Sequence, residues 1–101
     1  MKMLIFTFRD SLQDEVLSFL KQENIQAYTY VPKVHGVGQT GAAFGAFLSH
    51  GDNAIAMVTL NDEPASRTIE SFRSFRTALS QRQQGAAIPL RLMVLPCEEI
   101  I

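Results

Sequence analysis

The residues best suited to chemistry lie in a glycine-rich stretch near the middle of the chain. Gly36, Gly38 and Gly41 form the pattern G-x-G-x-x-G, which in dinucleotide-binding proteins follows the first strand of a parallel sheet and begins a helix. Here the pattern follows the second strand of a predicted antiparallel pair, so we do not interpret it as a dinucleotide fold. Closely spaced glycines still let backbone N–H groups approach an anion without a Cβ in the way. The stretch therefore predicts a binding loop.

The connection that contains these glycines, residues 35–53, is longer than a hairpin needs. It runs for about 18 residues, whereas most hairpin loops close in about two to five. It also contains bulky apolar side chains that a solvated linker does not need, namely Val37, Phe44, Phe47 and Leu48. We therefore favour a loop that binds a ligand or a target protein over a flexible connection without a function.

Arginines offer the second kind of chemistry in this sequence. Arg91 interrupts an apolar run, where a charged side chain must find a carboxylate, the phosphate of a ligand or a subunit boundary. We therefore count Arg91 among the candidate ligand-binding residues. Arg73 and Arg76 lie one turn apart on a predicted helix, with Glu70 placed to pair with Arg73, which is typical of a solvated helix face.

Histidines at both ends of the loop raise the alternative of a metal site. His35 and His50, with Asp52 nearby, offer imidazole and carboxylate groups, which zinc and similar ions accept. Their spacing matches no closed pattern of ligands, so the sequence favours solvated histidines and no resident metal. A divalent-metal-binding or cation-tolerance protein remains the second interpretation.

The remaining reactive residue, Cys97, gives no sign of catalysis. It is the only cysteine, which excludes an intrachain disulfide, and no sequence pattern places a base beside it. A small half-buried side chain is the expected role. The sequence contains no paired carboxylates at a strand end, no Ser-x-x-Lys pattern and no nucleophile with a recognisable base, so we predict that the protein is not an enzyme. A small ferredoxin-like enzyme is the third interpretation.

Composition limits the classes of partner. The chain has 101 residues with nine basic and ten acidic side chains, a net charge of −1, which gives no electrostatic footprint for nucleic acid or for an anionic membrane. The apolar N-terminal stretch is too short for a signal peptide, and no run approaches the ~20 apolar residues of a membrane helix. We expect a single cytoplasmic domain, residues 1–101, with no nucleic-acid partner and no membrane insertion.

Hydrophobic periodicity predicts six elements in the order strand, helix, strand, strand, helix, strand. Two βαβ-type crossovers in one small sheet indicate an α+β fold, the ferredoxin-like βαββαβ sandwich, with an antiparallel four-stranded sheet and both helices on one face. The predicted strands are residues 2–8, 25–34, 54–60 and 88–95, and the predicted helices are residues 11–22 and 61–82.

Several residues predict how these elements begin and end. Asp10 or Ser11 can cap the first helix and Asn61 the second, and Asn24 tolerates the left-handed conformation that ends many helices. Pro32 cannot donate a ladder hydrogen bond, so it predicts a sheet edge or a bulge.

The strands are apolar on both faces, although two helices can cover only one. The first predicted strand carries Leu4 and Phe6 on one side and Met3 and Ile5 on the other. We therefore expect the uncovered face to pack against other copies of the chain. The alternative is an apolar sheet face left in solvent.

The sequence as a whole resembles the PII-like signalling proteins of the nitrogen regulatory protein PII superfamily. The similarity is carried by short motifs spread along nearly the whole chain. They are Met1-Lys2, Asp14-Glu15-Val16, Val34-His35-Gly36-Val37-Gly38-Gln39, Val58-Thr59-Leu60-Asn61-Asp62 and Val94-Leu95-Pro96-Cys97-Glu98-Glu99-Ile100.

This resemblance implies a homotrimer of ferredoxin-like domains that binds small effectors, typically adenine nucleotides, in clefts between subunits. The long loop, the T-loop of the family, would contact a target protein, often a membrane transporter or an enzyme. Carried onto this chain, the segment Gly36, Val37, Gly38 and Gln39 would line the cleft, and Thr59 would lie on the strand that forms its wall.

Two departures from the family pattern predict a divergent member. Typical members have a lysine in the glycine-rich turn before the last strand, but residues 83–87 here read Gln-Gln-Gly-Ala-Ala. They also have a tyrosine in the long loop that becomes modified, and residues 35–53 contain none. An effector other than the usual one, or none, is therefore an open alternative.

Overall fold

The computed structural model describes residues 1–36, 53–85 and 88–101, which form one four-stranded sheet and two α-helices. The strand order in the sheet is β2-β3-β1-β4, and every neighbouring pair is antiparallel. This is the ferredoxin-like arrangement predicted from the sequence. The elements are β1 (Lys2–Arg9), a short 3-10 turn (Asp10–Leu12), α1 (Gln13–Gln22), β2 (Thr29–Val34), β3 (Asn53–Leu60), α2 (Asp62–Arg82) and β4 (Leu90–Pro96).

The core lies between one face of the sheet and both helices. Phe6 of β1 is fully buried, and its ring meets the rings of Phe19 on α1 and Phe72 on α2 edge-on, with centroids 6.3 and 5.5 Å apart. Edge-to-face contacts of this kind are favourable beyond the area that they bury. The other buried apolar residues of the two helices are Val16, Leu20, Ala65 and Leu79.

The opposite face of the sheet is apolar, as predicted. Ile5 in the centre lies opposite Met57 of β3 and Met93 of β4. Met93 and Leu95 are 47% and 49% exposed, and both helices pack on the other side of the sheet. Within the described ranges, no element covers this face.

The second strand begins later than predicted, at Thr29 instead of residue 25. Asn24 has φ 60°, and Ile25 donates its backbone N–H to the carbonyl of Leu20 at 2.9 Å. This bond closes the C-terminal end of α1 and buries Ile25 against the core. The helix end therefore uses Ile25, although its side chain favours a strand. The prediction for Asn24 is confirmed.

The helix starts are placed correctly, but the predicted side-chain caps are wrong. Asp10 and Ser11 lie in the 3-10 turn instead of capping α1 directly, and Leu12 takes the cap position without a side-chain hydrogen bond. Asn61 precedes α2 in an extended conformation, yet its side chain makes no cap bond, and only its carbonyl accepts the N–H of Ala65.

The edge strand β2 is irregular, as Pro32 predicted. The pairing with β3 shifts register between Val31 and Val34, and Lys33 between them has φ 57°. A residue with a side chain rarely adopts this left-handed conformation. The bulge turns the end of β2 toward the position where β3 begins, which places the two ends of the 35–53 connection side by side.

Candidate ligand-binding site

A cavity of about 530 Å³ lies at the end of the sheet where β1 and β2 finish and β3 and β4 begin. It collects side chains from every strand and from α2. Its walls include Phe8, Phe72, Ile88 and Leu90, which are all buried. The volume falls within the range of small-molecule sites, and apolar walls with a few polar groups are typical of such sites.

Arg76 brings a cation to this cavity from the helix. Its Nε donates to the carbonyl of Leu90 at 3.1 Å, and its Nη2 donates to the carbonyl of Ile88 at 3.3 Å. These bonds use only two of the five N–H groups of a guanidinium. The side chain is therefore anchored to the chain just before and at the start of β4 and keeps further donors.

Arg73 and Arg76 are both exposed, as predicted for a solvated helix face, but Arg76 also bonds to the carbonyls of Ile88 and Leu90. Arg73 does follow the prediction, since its side chain is 72% exposed and lies 3.5 Å from Glu70. Arg76, however, follows Phe72 by four residues and precedes Leu79 by three, and both of these are buried. That spacing puts Arg76 on the helix side that meets the sheet, and it is the signal that could have found the residue.

Arg91, an exposed residue of β4, adds a second guanidinium to the lining. It lies on β4 opposite Thr7 of β1, next in the chain to Leu90, whose carbonyl holds Arg76. Among the described residues that line the cavity there is no Asp or Glu. Two guanidinium groups in one lining make the site electrostatically suited to an anion.

Asn53 holds the base of the 35–53 connection together, a role that sequence reasoning missed. It is 3% exposed, lies opposite Val34 in the sheet and donates from Nδ2 to the Val34 carbonyl at 3.4 Å. Its Oδ1 accepts no hydrogen bond from the part of the chain that is described. The contact fixes the strand end that leads into His35 and Gly36, which both line the cavity.

Tyr30 supports the cavity from the core side. Its ring stacks on that of Phe8, a lining residue, with centroids 6.4 Å apart, and its hydroxyl donates to Oε1 of Gln13 at 2.8 Å. Partial burial raises the pKa of Tyr30, and the nearby Asp10 carboxylate raises it further. The phenol therefore stays protonated at neutral pH and keeps this hydrogen bond.

Of the residues predicted to bind a ligand, the structure brings Gly36 and Arg91 into one cavity together with His35. Thr59 is exposed near the far end of β3, opposite Met3, and does not line the cavity. A role for Thr59 in a wall between subunits stays a prediction. Val37, Gly38, Gln39 and His50 lie outside the described residues.

Two other expectations concern metal and membrane. In the described ranges, no three or more His, Cys, Asp and Glu side chains are grouped so that they could hold a metal ion. Likewise, neither described helix is long and apolar enough to cross a membrane. Cys97 is half-buried, as predicted, and its backbone N–H donates to the carbonyl of Met1 at 3.2 Å.

Several solved structures share this arrangement. The apo form of CPII from Thiomonas intermedia K12, a nitrogen regulatory PII-like protein, superposes with a TM-score of 0.65 at 15% identity, over 93% of this chain and 85% of that one. The fold is that of PII-like proteins. The resemblance inferred from the sequence is thus confirmed at the level of the fold.

Further solved structures agree with this fold. CPII bound to ADP, AMP and acetate gives a TM-score of 0.66 at 16% identity, over 92% of this chain and 81% of that chain. A PII-like signalling protein from Thermus thermophilus gives 0.56 at 17% identity, over 93% and 83% of the two chains. No protein-family model matches the sequence, and no curated protein does.

Proposed function

We propose that this protein is a PII-like signalling protein that binds a small anionic effector in the cavity at the base of the 35–53 loop. The observation that carries the proposal is the presence of two arginines, Arg76 and Arg91, in the lining of one largely apolar cavity. The effector accordingly has an apolar body and a phosphate or carboxylate group. Adenine nucleotides satisfy both conditions, and the similar CPII structure contains ADP and AMP.

The proposed signal is a change in the 35–53 loop that follows effector binding. His35 and Gly36 line the cavity and lead directly into this loop, so a ligand that contacts them can favour one arrangement of the loop over another. The loop would then contact a target protein, such as a transporter or an enzyme, in the cytoplasm. The protein acts in this proposal by binding, and it catalyses no reaction.

The proposal includes a homotrimer built on the uncovered face of the sheet. A face centred on Ile5, Met57 and Met93 would leave a large apolar area in water, and a second or third copy would cover it. Light scattering at micromolar concentration should give three times the monomer mass. Ile5→Lys should dissociate the assembly, whereas Ser66→Lys on the exposed side of α2 should not, and a monomeric native protein would overturn the trimer.

Calorimetric titration with ADP, AMP, ATP and bicarbonate tests the effector site. A hydrogen bond to a charged group contributes about 1.5–3 kcal/mol, so Arg91→Ala should weaken nucleotide binding by about 10- to 100-fold. Arg91→Lys should retain part of the affinity. Arg67→Ala, which removes an exposed arginine that forms an ion pair with Glu63, is the matched control and should leave binding unchanged.

Equal affinity of the native protein and Arg91→Ala for every ligand that binds would refute the cavity as the site. If none of these ligands releases heat or raises the melting temperature, the adenine nucleotide proposal fails as well. A ligand at about 100 times its dissociation constant should add about 2.7 kcal/mol of stability, so a thermal-shift measurement provides an independent check.

A further inference from the structure

The outer edge of β4 presents backbone groups that the rest of the described chain leaves unpaired. Arg9 donates its N–H to the carbonyl of Pro89 at 3.0 Å, and Cys97 donates to Met1 at 3.2 Å. Successive residues of a strand direct their backbone N–H and C=O groups to opposite edges. Pro89 and Cys97 both bond to the chain of β1, so the backbone groups of the odd-numbered residues between them point toward β1. The N–H and C=O groups of Leu92 and Val94 therefore point away from the sheet.

The same edge borders a groove. A depression of about 430 Å³ runs between β4 and α2, with Ile69, Leu92 and Val94 among its apolar lining residues and Arg73 and Arg76 among its polar ones. A strand added to β4 would lie about 4.8 Å from it and would turn alternate side chains into this groove. The groove and the edge together fit an extended segment that carries both apolar and acidic side chains.

The chain contains such a segment in residues 97–101. It has no helix or strand in the structure, and its sequence places Glu98 and Glu99 directly before Ile100 and Ile101. The two isoleucines are 82% and 108% exposed. Two acids match the two arginines of the groove, and two large apolar side chains match its apolar lining.

We infer that residues 97–101 of one copy of this chain add to the β4 edge of a second copy and occupy its groove. The isoleucines pack between Ile69 and Val94, and the glutamates lie beside Arg73 and Arg76. The occupant comes from another copy because Cys97 is still bonded to Met1. That bond extends β4 by one residue, so the segment begins beyond the end of its own β4 edge and is directed away from it.

This contact differs from the apolar sheet face that the proposed trimer uses. It joins one surface to a different surface of the next copy, and contacts of that kind close into rings when the rotation between copies allows it. It goes beyond the proposed effector site, since it needs no ligand. Its test therefore uses the ligand-free protein, and failure to bind nucleotides would leave its outcome unaffected.

Hydrogen exchange of the Leu92 and Val94 amides, measured by NMR on the full chain, tests the inference. Amides paired between copies exchange slowly, because exchange requires the segment to leave the edge. Exchange should speed up by about 10-fold in Glu98→Lys/Glu99→Lys and also in Ile100→Ser/Ile101→Ser. Adding Arg73→Glu to the charge-reversed variant should restore slow exchange, and Glu63→Lys, a charge reversal at the start of α2, should have no effect.

Two results would overturn the inference. Fast exchange of both amides in the native chain would mean that nothing covers the edge. Slow exchange that persists in both double variants would mean that a different surface of the second copy covers it. Dilution below the concentration at which the protein associates should abolish the protection, and protection independent of concentration would count against an occupant from another copy.

Discussion

The two edges of the sheet are built differently. β2 contains Pro32, shifts its register before Val34 and places Lys33 in a left-handed conformation. β4 runs in unbroken register with β1 from Leu90 to Pro96. Proline, lysine and bulges are the features by which natural proteins protect sheet edges from unintended pairing. β2 has all three, and the outer side of β4 has neither a bulge nor a lysine.

This difference separates the two proposed roles of the molecule. The irregular edge directs the chain to His35 and Gly36 in the cavity lining, so its residues are suited to positioning a ligand. The regular edge keeps its backbone groups available and borders a groove, so its residues are suited to another polypeptide. Substitutions in the core and at each edge test this difference. They compare the loss of stability in the core with that at the edges, and they check the backbone direction of β4 and the bulge in β2.

The largest effect is expected in the core that both edges share. Phe6→Ala removes a fully buried ring from the central strand and should lower the free energy of unfolding by about 3–5 kcal/mol. Chemical denaturation measures it. Val94→Ala at the regular edge, where the side chain is 37% exposed, should cost less than about 1 kcal/mol, and a comparable loss in both variants would contradict the assigned burial.

A pair of proline substitutions tests the direction of the β4 backbone. Met93→Pro removes an N–H that points toward β1 and should destabilise the protein by about 3 kcal/mol. Val94→Pro removes an N–H that points outward and should be tolerated much better. Denaturant midpoints of the two variants measure the difference. If Val94→Pro were the more damaging of the two, the outward direction of Leu92 and Val94 would be wrong.

A glycine substitution tests the strain at the β2 edge. Lys33→Gly relieves a left-handed conformation that costs a side-chain residue about 1–2 kcal/mol, but it adds entropy to the unfolded chain. The net result should be a stabilisation of less than about 1 kcal/mol. Val31→Gly in the extended part of the same strand should destabilise instead. Thermal unfolding that shows a loss for both glycines would argue against the bulge at Lys33.

The smallest effect is expected away from both edges, at the start of α2. The Met1 ammonium donates to the Asp62 carboxylate at 2.8 Å, and this bond lowers the pKa of Asp62 below its ordinary value of 3.8. A lowered pKa stabilises the fold above the ordinary value, and the contribution disappears as pH falls through the lowered one. Asp62→Asn should therefore reduce the melting temperature slightly at neutral pH and not in strong acid. An equal reduction at both pH values would show that the charge is not responsible.

The fold was predictable because its signals are local. The apolar periodicity of residues such as Leu4, Phe6 and Phe72 defines the elements, and Pro32 and Asn24 mark their ends by the backbone conformations that they allow. Ile25 was misassigned because its strand preference is weaker than the hydrogen bond to Leu20 that closes α1. Strand propensity is a property of the single residue Ile25, whereas its hydrogen bond to Leu20 forms only because α1 ends just before it.

The candidate site was predictable only in part. Arg91 was singled out because a charge within an apolar strand is visible in the sequence itself, and it lies in the cavity lining. Arg76 and Asn53 were missed because their roles depend on distant partners, the carbonyls of Ile88 and Leu90 in one case and that of Val34 in the other. Such contacts arise from the packing of α2 against β4 and of β2 against β3, which a single sequence does not specify residue by residue.

Arg76 lies between the candidate ligand cavity and the outer edge of β4. Arg76 is a lining residue of both the cavity and the groove. Its Nε donates to the Leu90 carbonyl, which would otherwise be one more hydrogen-bond acceptor on the outer edge of β4. A ligand that drew the guanidinium away from Leu90 would free that acceptor. By thermodynamic reciprocity, occupancy of the edge would then change the affinity for the ligand by the same factor.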